Sequence, residues 1–588
     1  MKAGYKAFLS HIAAAFAVVA AQAAVKTVEL GHMPGGELCR AVAKAVAEKT
    51  PADTLVIRLL AEQYDFHPAD AEHRQLYISN HDQDNPKAVG ILIENARNVI
   101  LDGGNARLLF NGRMLPVALL NSSGCQLRGF SIDFPNPHIS QVIVESNDTA
   151  AGVITYRPEP WVEWEVRDSA FVVKGEGWEH TPLTAIPFEE HTGRVLYRSG
   201  DINVGVKGVT RVSPTSLSAP WKDPRLLPGT RLAMRTYRRP APGIFLDADT
   251  ATTIENVLVH YAEGMGLLAQ NCRDIDIRHS GVCRSSYDDP RYFTTQADAT
   301  HFSSCSGNVA VTDCLFEGMM DDAINVHGTY LKITEVIDSA TISARYMHRQ
   351  TYGFPWGAPG DTVRLVSSST MDYLAAPSTI KSIRPLTPDS RDFIVTLSST
   401  LPDTLLQYIS SPSPLPAVGI ENLTRTPAVL FARNTVRHNR ARGALFSSPR
   451  PTLCEDNLFD HTSGTAILLC GDCNGWYESG PCRDVTIRRN TFLNALTTPY
   501  QFTEAVISVY PVIPDLDHKR APFHSGVTIS GNRFITFGTP LLYAKSAAGL
   551  RFLDNTIETD TAYPPYHPAS TPPIHLIACP DPEIQEPE

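Results

Sequence analysis

Asn434-Thr435-Val436 is the first copy of a short pattern that decides the fold. Four more copies follow it, each with an asparagine, any residue and an apolar residue: Asn457-Leu-Phe, Asn490-Thr-Phe, Asn532-Arg-Phe and Asn555-Thr-Ile. Two of the intervals between these asparagines are 23 residues, and the other two are 33 and 42 residues. A repeat of this length is typical of a β-helix, whose coils stack roughly 4.8 Å apart because none can bury its apolar face alone. Asparagines at one turn of each coil are expected to form a ladder of side-chain amides.

Earlier segments follow the same pattern of short apolar strands that end at turn residues, among them Asn98-Val-Ile-Leu-Asp-Gly-Gly, Asn256-Val-Leu-Val and Asn308-Val-Ala-Val. The alternative is a β-sandwich, with turns about every 8–12 residues. The recurring interval and the scarcity of hairpin dipeptides favour an all-β, right-handed parallel β-helix. One amphipathic helix is predicted over Glu37 to Glu48, where it would cap the end of the solenoid.

Two stretches interrupt the repeat, and we expect each to be an inserted β-barrel-like module. Residues 146–240 carry four tryptophans and many prolines, and residues 332–427 are rich in Ser, Thr and Pro with alternating strands. The β-helix then divides into an N-terminal part with its capping helix (24–145), a middle part (241–331) and a C-terminal part (428–560), followed by a tail (561–588).

The N-terminus has the features of a signal peptide over residues 1–23. Lys2 and Lys6 precede an apolar stretch, and Ala21-Gln-Ala23 matches a signal-peptidase site. The stretch is short for a membrane span, so we expect a secreted or periplasmic protein without stable membrane insertion. The net charge of −11 disfavours a nucleic-acid partner, because phosphate binding needs a basic surface.

The chain has eleven cysteines, too few for a disulfide scaffold at this length. Cys470 and Cys473 form a CxxC motif, but no second CxxC or histidine pair completes a zinc site. We expect most of the cysteines to be buried thiols. One disulfide within the group Cys470, Cys473 and Cys482 is a hypothesis.

Three aspartates are predicted to meet in one patch. Asp298 precedes Asp321 by 23 residues and Asp322 by 24, which is one coil of the repeat. Repulsion between carboxylates raises the pKa of one of them, and inverting glycosidases use such a pair as acid and base. Adjacent strand residues point to opposite faces, so both members of the Asp321-Asp322 pair reach one cleft only at a turn or bulge, which Gly318 would permit.

A calcium site is the alternative for these carboxylates. The nearby His301, Asn325 and His327 suit sugar hydroxyls better than a hard cation, so we predict no metal and no cofactor.

Met320-Asp-Asp-Ala-Ile-Asn-Val-His-Gly-Thr-Tyr330 resembles the signature of the alpha-1,3-galactosidases of glycoside hydrolase family 110. Further segments resemble this family: Ser131-Ile-Asp-Phe, Gln350-Thr-Tyr-Gly-Phe, Asn439-Arg-Ala-Arg-Gly and Gly471-Asp-Cys-Asn-Gly-Trp-Tyr-Glu-Ser-Gly480. The resemblance implies a parallel β-helix with inserted β-barrels, metal-independent hydrolysis and inversion at the anomeric carbon. It also implies removal of terminal α-1,3-linked galactose from glycans such as the blood-group B determinant.

The same segments are similar to the polygalacturonase β-helix. By position, this similarity implies that Asp321 is the general acid and that Asp298 and Asp322 hold and deprotonate the water. A second patch of predicted substrate-binding residues comprises Arg442, Asp472, Trp476 and Glu478, in addition to His301, Asn325 and His327. An aromatic face stacks on galactose and a carboxylate accepts hydrogen bonds from its hydroxyls, although Trp476 could instead be a core residue.

The sequence therefore predicts an exo-acting, inverting alpha-1,3-galactosidase whose partners are galactose-terminated oligosaccharides or glycoproteins. Another β-helix glycosidase of the polygalacturonase type and a non-catalytic carbohydrate-binding β-helix protein are the alternatives. The preference between branched, fucosylated and linear substrates and the oligomeric state are left open.

Overall fold

A computed structural model describes residues 24–386, 391–409, 411, 414–500 and 502–587. The predicted signal peptide, residues 1–23, lies outside the described residues. Among the residues that are described, no helix combines the length and the apolar character that crossing a membrane requires.

The described strands form a parallel β-helix, as the sequence predicts. One 21-stranded sheet contains two of its faces, joined through the long strands near the N-terminal end: Val25–Leu30, Thr54–Leu59, Gln63–Phe66, Val99–Phe110, Gln126–Asp133, Thr250–Val259, Arg273–Arg278, Gly281–Val282, Ser306–Thr312, Leu315–Glu317, Ala428–Ala432, Thr435–Arg437, Thr452–Glu455, Leu458–Asp460, Val485–Arg488, Thr491–Leu493, Val527–Ser530, Arg533–Thr536, Arg551–Leu553, Thr556–Thr559 and Glu583–Ile584.

A second sheet forms the remaining face, and its strands position the site. Its parallel strands are Lys87–Glu94, Leu115–Leu120, Ile244–Asp247, Leu267–Gln270, Thr300–Ser303, Ile324–Thr329, Ala444–Ser447, Ile467–Leu469, Ile507–Val509, Leu542–Lys545 and Ile574–Ile577. Two antiparallel strands, Glu72–Arg74 and Glu478–Ser479, pair with this sheet.

The interior of the solenoid is a continuous column of stacked apolar side chains. Phe459, Phe492 and Phe534 occupy one register position on three neighbouring strands. Their rings stack in turn, with centroid distances of 5.3 and 4.9 Å. Each coil thus buries the aromatic side chain of the coil beside it, which is why no coil is stable alone.

The predicted asparagine ladder is confirmed. The Nδ2 of each asparagine donates to the Oδ1 of the next along the series, at 3.1 Å from Asn434 to Asn457 and at 2.9–3.0 Å through Asn490, Asn532 and Asn555. All five side chains are buried. The ladder satisfies buried amides that would otherwise destabilise the fold.

The predicted capping helix is also present, over Gly35–Ala47. Leu38, Val42 and Ala45 are buried and join the main core, so the helix covers the open end of the solenoid. The other short helices are Pro68–Asp70 and Asp403–Leu406.

The first interruption of the repeat is an antiparallel module with its own core. It begins at Ser140, a few residues before the predicted boundary at 146. Its strands are Ser140–Asp148, Val153–Pro158, Thr184–Phe188, Thr210–Arg211, Leu217–Pro220 and Arg231–Arg235 in one sheet, and Trp164–Arg167, Ala170–Gly175 and Trp178–His180 in another.

The second interruption is a closed six-stranded antiparallel barrel, also with its own core. Its strands are Leu331–Val336, Thr341–Arg345, Thr362–Ser367, Ser378–Pro385, Asp392–Leu397 and Val418–Asn422.

The C-terminal residues and the cysteines differ from the predictions. Residues 561–588 are not a separate tail, because Ile574–Ile577 and Glu583–Ile584 pair in parallel with the preceding coils.

All eleven cysteines, which lie within the described ranges, are free thiols, so the disulfide hypothesised within Cys470, Cys473 and Cys482 is wrong. Two minor strands, His524–Ser525 and Ala547–Ala548, complete the set described.

Candidate active site

Three ionisable residues occupy equivalent positions just before neighbouring strands of the second sheet. Thr300 pairs with Ile324, and Ile324 pairs with Ala444. Asp298, Asp322 and Arg442 each lie two residues before these positions, so they form one column. The Asp322 N–H donates to Asp298 Oδ1 at 3.4 Å, and the Arg442 N–H donates to Asp322 Oδ1 at 3.1 Å. The period of the repeat therefore brings Asp298 beside Asp322, as predicted.

The Asp321-Asp322 pair lies in a bend and not in a regular strand. The preceding strand ends at Glu317 and the following strand begins at Ile324. Gly318 starts the bend with φ +68°, in the left-handed region that favours glycine. This geometry removes the objection that adjacent residues must point to opposite faces. It nevertheless places the two side chains differently, because Asp321 lines a pocket and Asp322 lies fully buried behind it.

The pocket contains about 500 Å³ of empty space. Eight of the ten predicted site residues line it: Asp298, His301, Asp321, Asn325, Arg442, Asp472, Trp476 and Glu478. Asp322 and His327 are buried outside its wall. The structure adds six lining residues that the sequence analysis did not predict to be in the site: Asn80, Arg239, Met265, Leu445, Cys470 and Phe502.

Arginines surround Asp321. Its carboxylate lies 3.0 Å from Arg239, 3.4 Å from Arg440 and 3.6 Å from Arg442. Burial alone would raise the pKa of Asp321, but these guanidinium groups hold it below its usual value. Asp321 is therefore the ionised carboxylate of the pocket at neutral pH.

Asp201, from the first inserted module, fixes part of this arginine cluster. Its carboxylate accepts hydrogen bonds from Arg440 at 2.6 Å and from Arg235 at 2.9 Å. Arg235 in turn donates to the backbone carbonyl of Gln296 at 3.1 Å. The module therefore contacts the segments that precede both Asp298 and Asp321.

Asp322 and Arg442 form a two-pronged ion pair. The guanidinium Nε donates to Oδ1 and Nη2 donates to Oδ2, each at 2.9 Å. Because both oxygens of Asp322 are occupied, this residue has little capacity left for a water or a sugar hydroxyl. These contacts favour a positioning role for Asp322 over the direct role in holding water that the similarity to polygalacturonase implies.

A chain of hydrogen bonds determines where Asp298 keeps its proton. His327 Nδ1 lies 2.6 Å from the Gly328 carbonyl, so Nδ1 carries the hydrogen. A neutral His327 with its hydrogen on Nδ1 accepts at Nε2, and His301 Nε2, 2.8 Å away, then donates to it. His301 Nδ1 is then an acceptor, and Asp298 Oδ2 at 2.8 Å must donate to it.

The electrostatics of Asp298 agree with this proton count. Burial, together with the negative charge of Asp321, raises the pKa of Asp298 to about 8. Burial also holds the pKa of His301 well below its usual value, which keeps that ring neutral. Asp298 and Asp321 are therefore one protonated and one ionised carboxyl in the same pocket at neutral pH, the pairing that acid–base catalysis requires.

Glu478 lies near His327, whereas Asp298 is hydrogen-bonded to His301. Its Oε1 accepts a hydrogen bond from Asn80 Nδ2 at 3.1 Å and lies 3.5 Å from His327 Nε2. Burial acts to raise the pKa of Glu478, and the Arg442 guanidinium and the hydrogen bond from Asn80 act to lower it. This carboxylate is placed to accept hydrogen bonds from sugar hydroxyls.

Asp472 lines the pocket, as predicted, and also fixes the loop that follows it. Its carboxylate accepts the backbone N–H groups of Asn474 at 2.7 Å, Gly475 at 2.9 Å and Trp476 at 2.7 Å. The side chain therefore shapes the loop that carries Trp476, although it also lies in the pocket wall.

Comparisons with known proteins identify the two inserted modules and the family of the whole chain. The GLAA-B beta-barrel domain I family matches residues 140–232, and the GLAA-B beta-barrel domain II family matches residues 341–407. The chain is 53% identical to the alpha-1,3-galactosidase B of Parabacteroides distasonis, over 87% of this chain and 84% of that protein. It is 52% identical to an alpha-1,3-galactosidase B of Phocaeicola vulgatus, over 90% of each.

The chain belongs to the alpha-1,3-galactosidase B family. This confirms the resemblance found in the sequence, and the two matched domains coincide with the two inserted modules. Among solved structures, the family 28 exopolygalacturonase of Yersinia enterocolitica aligns with 95% of this chain and 78% of its own at 8% identity. Its TM-score of 0.33 makes this likeness too distant to bear on function.

In this member of the alpha-1,3-galactosidase B family, arginines balance the carboxylate cluster. Asp298, Asp321 and Asp322 each offer an oxygen atom within 4.8 Å of the others, a spacing that could hold a cation. Arg239, Arg440 and Arg442 already place positive charge on this cluster. The residues present therefore favour a hydrolytic site built on side chains alone.

Proposed function

We propose that this chain is an exported, exo-acting, inverting alpha-1,3-galactosidase. Its substrates would be glycans that end in α-1,3-linked galactose, such as the blood-group B antigen. The observation that carries the proposal is the pairing of a protonated Asp298 with an ionised Asp321 in one pocket. The names of the curated relatives supply the sugar and the linkage.

The reaction needs one carboxylic acid and one carboxylate. The acid donates its proton to the glycosidic oxygen as the bond from that oxygen to the anomeric carbon breaks. The carboxylate takes a proton from a water that attacks the anomeric carbon on the opposite face. Glu478 and Asn325 would bind the hydroxyls of the terminal galactose, since both line the pocket.

Two considerations assign the acid differently. The family resemblance assigns it to Asp321, with Asp298 holding the water. The hydrogen bonds and charges of the empty site place the proton on Asp298 and ionise Asp321, so the electrostatics favour Asp298 as the acid. The leaving group of the substrate offers a way to decide between them.

The decisive pair of substrates is α-D-galactosyl fluoride and galactosyl-α-1,3-galactose. Fluoride leaves without a proton, so loss of the acid spares the first substrate and lowers turnover of the second by about 10²–10⁴-fold. Loss of the base lowers the turnover of both substrates. If Asp298→Asn retains fluoride hydrolysis and Asp321→Asn does not, Asp298 is the acid, and the reverse result assigns Asp321.

Inversion is a separate part of the proposal. Oxygen atoms of the three carboxyls approach within 4.8 Å of one another, which is closer than the roughly 6.5–9.5 Å of most inverting glycosidases. The support for inversion is therefore the family resemblance and not the spacing. Proton NMR of the first-released sugar tests it: β-galactose supports inversion, and α-galactose would refute it.

Product analysis separates the whole proposal from its alternatives. Blood-group B trisaccharide and linear galactosyl-α-1,3-galactose should both be tried, since the ratio of their turnover rates also measures the effect of the fucose branch. Release of free galactose is expected. Release of uronic acid from galacturonan would favour a polygalacturonase, and binding without any release would favour a carbohydrate-binding protein.

Export is proposed from the sequence alone. Lys2, Lys6 and the apolar stretch that ends at Ala21-Gln-Ala23 support cleavage after residue 23. Intact-mass measurement of the protein from the periplasm or the medium tests this, and a retained N-terminus would contradict it.

A further inference from the structure

Trp476 is the most exposed residue of the pocket wall. It is 36% exposed, whereas Asp298 and Asn325 are at most 5% exposed. The reacting carboxyls therefore lie at the buried end of the pocket and the indole lies at its mouth. An exo-acting enzyme binds the terminal sugar beside the reacting carboxyls, so the sugar that leaves is the one at the mouth.

His348 supports the indole from outside the pocket. The two rings stack with their centroids 4.7 Å apart and an interplanar angle of 28°. Trp476 lines the pocket and His348 does not, so the imidazole covers one face of the indole and leaves the pocket side available. His348 belongs to the second inserted module, outside the β-helix that carries the aspartates.

Hydrogen bonds hold both members of this stack. The Gln350 N–H donates to His348 Nδ1 at 3.3 Å, and Asp472 accepts the Trp476 N–H at 2.7 Å. Asn474, in the same loop as Trp476, donates from Nδ2 to the Ser368 carbonyl of the second module at 2.9 Å. The module thus fixes the loop as well as the ring.

We propose that the Trp476 indole is the platform for the sugar that leaves, a neutral pyranose on the reducing side of the cleaved bond, and that His348 is a positioning residue for this platform. The inference rests on the proposed function and adds a subsite to it. Glu478 and Asn325 would bind the terminal galactose. The second module would contribute to the choice of the sugar that leaves. An apolar sugar face on an aromatic ring is a favourable contact in such a place.

Comparison of two substrates tests the platform. Galactosyl-α-1,3-galactose has a sugar at the mouth, and α-D-galactosyl fluoride has none. Trp476→Ala should lower kcat/KM for the disaccharide about 3- to 10-fold, mainly through KM, because an aromatic contact contributes about 0.5–1.5 kcal/mol. Hydrolysis of the fluoride should change less than about twofold, and this activity also shows that the variant is folded.

Variants at position 348 test the stack. His348→Ala should reproduce part of the loss on the disaccharide, and His348→Phe should restore it because a flat ring is again present. His32→Ala, at an exposed position ahead of the capping helix, is the matched control and should change neither substrate.

Four outcomes would overturn the inference. Equal losses on both substrates would place Trp476 against the terminal galactose, and no loss on either would remove it from substrate binding. A His348→Phe variant as poor as His348→Ala would exclude stacking as the role of His348. If the unaltered enzyme released galactose from neither substrate, the proposed function would fail together with the inference.

Discussion

Replacing Asp298 by Asn should lower hydrolysis of galactosyl-α-1,3-galactose by about 10²–10⁴-fold and yet stabilise the protein relative to wild type as the pH rises toward 8. The pKa of this carboxyl is raised to about 8 by burial and by Asp321, against an ordinary value of 3.8. Between these two values the folded chain holds a proton that the unfolded chain releases. The wild-type free energy of unfolding must therefore fall as the pH rises through this window.

The size of the effect follows from the pKa difference. Each pH unit within the window changes the free energy by about 1.4 kcal/mol per proton, so the wild type loses about 4 kcal/mol from this group between pH 5 and pH 8. An asparagine has no proton to release, so the variant does not lose this free energy of unfolding. With an unfolding entropy of roughly 2.1 cal/mol/K per residue over a chain of 588 residues, this corresponds to about 3 °C in Tm.

Differential scanning calorimetry of both proteins at several pH values between 5 and 8 measures this difference. The Tm of Asp298→Asn should rise relative to wild type as the pH increases. Asp313→Asn, away from the pocket, is the matched control, because the hydrogen bonds from Arg433 hold the pKa of the Asp313 carboxyl below its usual value, so that it is ionised in both states above pH 5. Its Tm difference from wild type should be constant over this range. A constant difference for Asp298→Asn as well would refute a protonated Asp298.

Three further changes test other parts of the structure. Asn490→Ala should lower the free energy of unfolding by about 1–3 kcal/mol, measured by urea denaturation, because it interrupts the ladder and leaves buried amides unpaired. Asp201→Asn should loosen Arg440 and lower kcat about tenfold with little change in KM; an unchanged kcat would exclude a link from the module to the site. Arg442→Lys should lower kcat by about 10²-fold or more, because lysine cannot make the two-pronged contact with Asp322. Near-normal turnover would contradict a positioning role for that pair.

The fold was predictable because one physical requirement repeats along the chain. Each coil of the ladder buries an apolar side chain and one side-chain amide, so Asn457-Leu-Phe and Asn532-Arg-Phe carry the same signal. The C-terminal coil was missed because it lacks this signal. Ile574–Ile577 pairs with the preceding coil through backbone hydrogen bonds, yet no asparagine of the ladder follows it.

Spacing made the residues of the site predictable only where the repeat positions them. Asp298 and Asp322 were predictable as neighbours because they are separated by one coil, and strand register converts that interval into contact. Asn80 and Arg239 were not, because both reach the pocket from segments outside the repeat. Their sequence distance from Asp321 has no fixed spatial meaning, and only the folded chain shows that Arg239 lies 3.0 Å from it.

Residue type alone could not assign the roles of the three aspartates, because their neighbours determine their protonation and contacts. Asp321 is ionised because Arg239 and Arg440, from two segments outside the strands, lie close to the carboxylate. Asp298 keeps a proton because it starts a chain of hydrogen bonds through His301 and His327 to a backbone carbonyl, which can only accept. Asp322 is held by Arg442 through both of its oxygens. Exchanging the neighbours would exchange the roles. A variant that alters only Asp201 or His301 should therefore shift the pH dependence of kcat, although none of the three carboxyls has been changed.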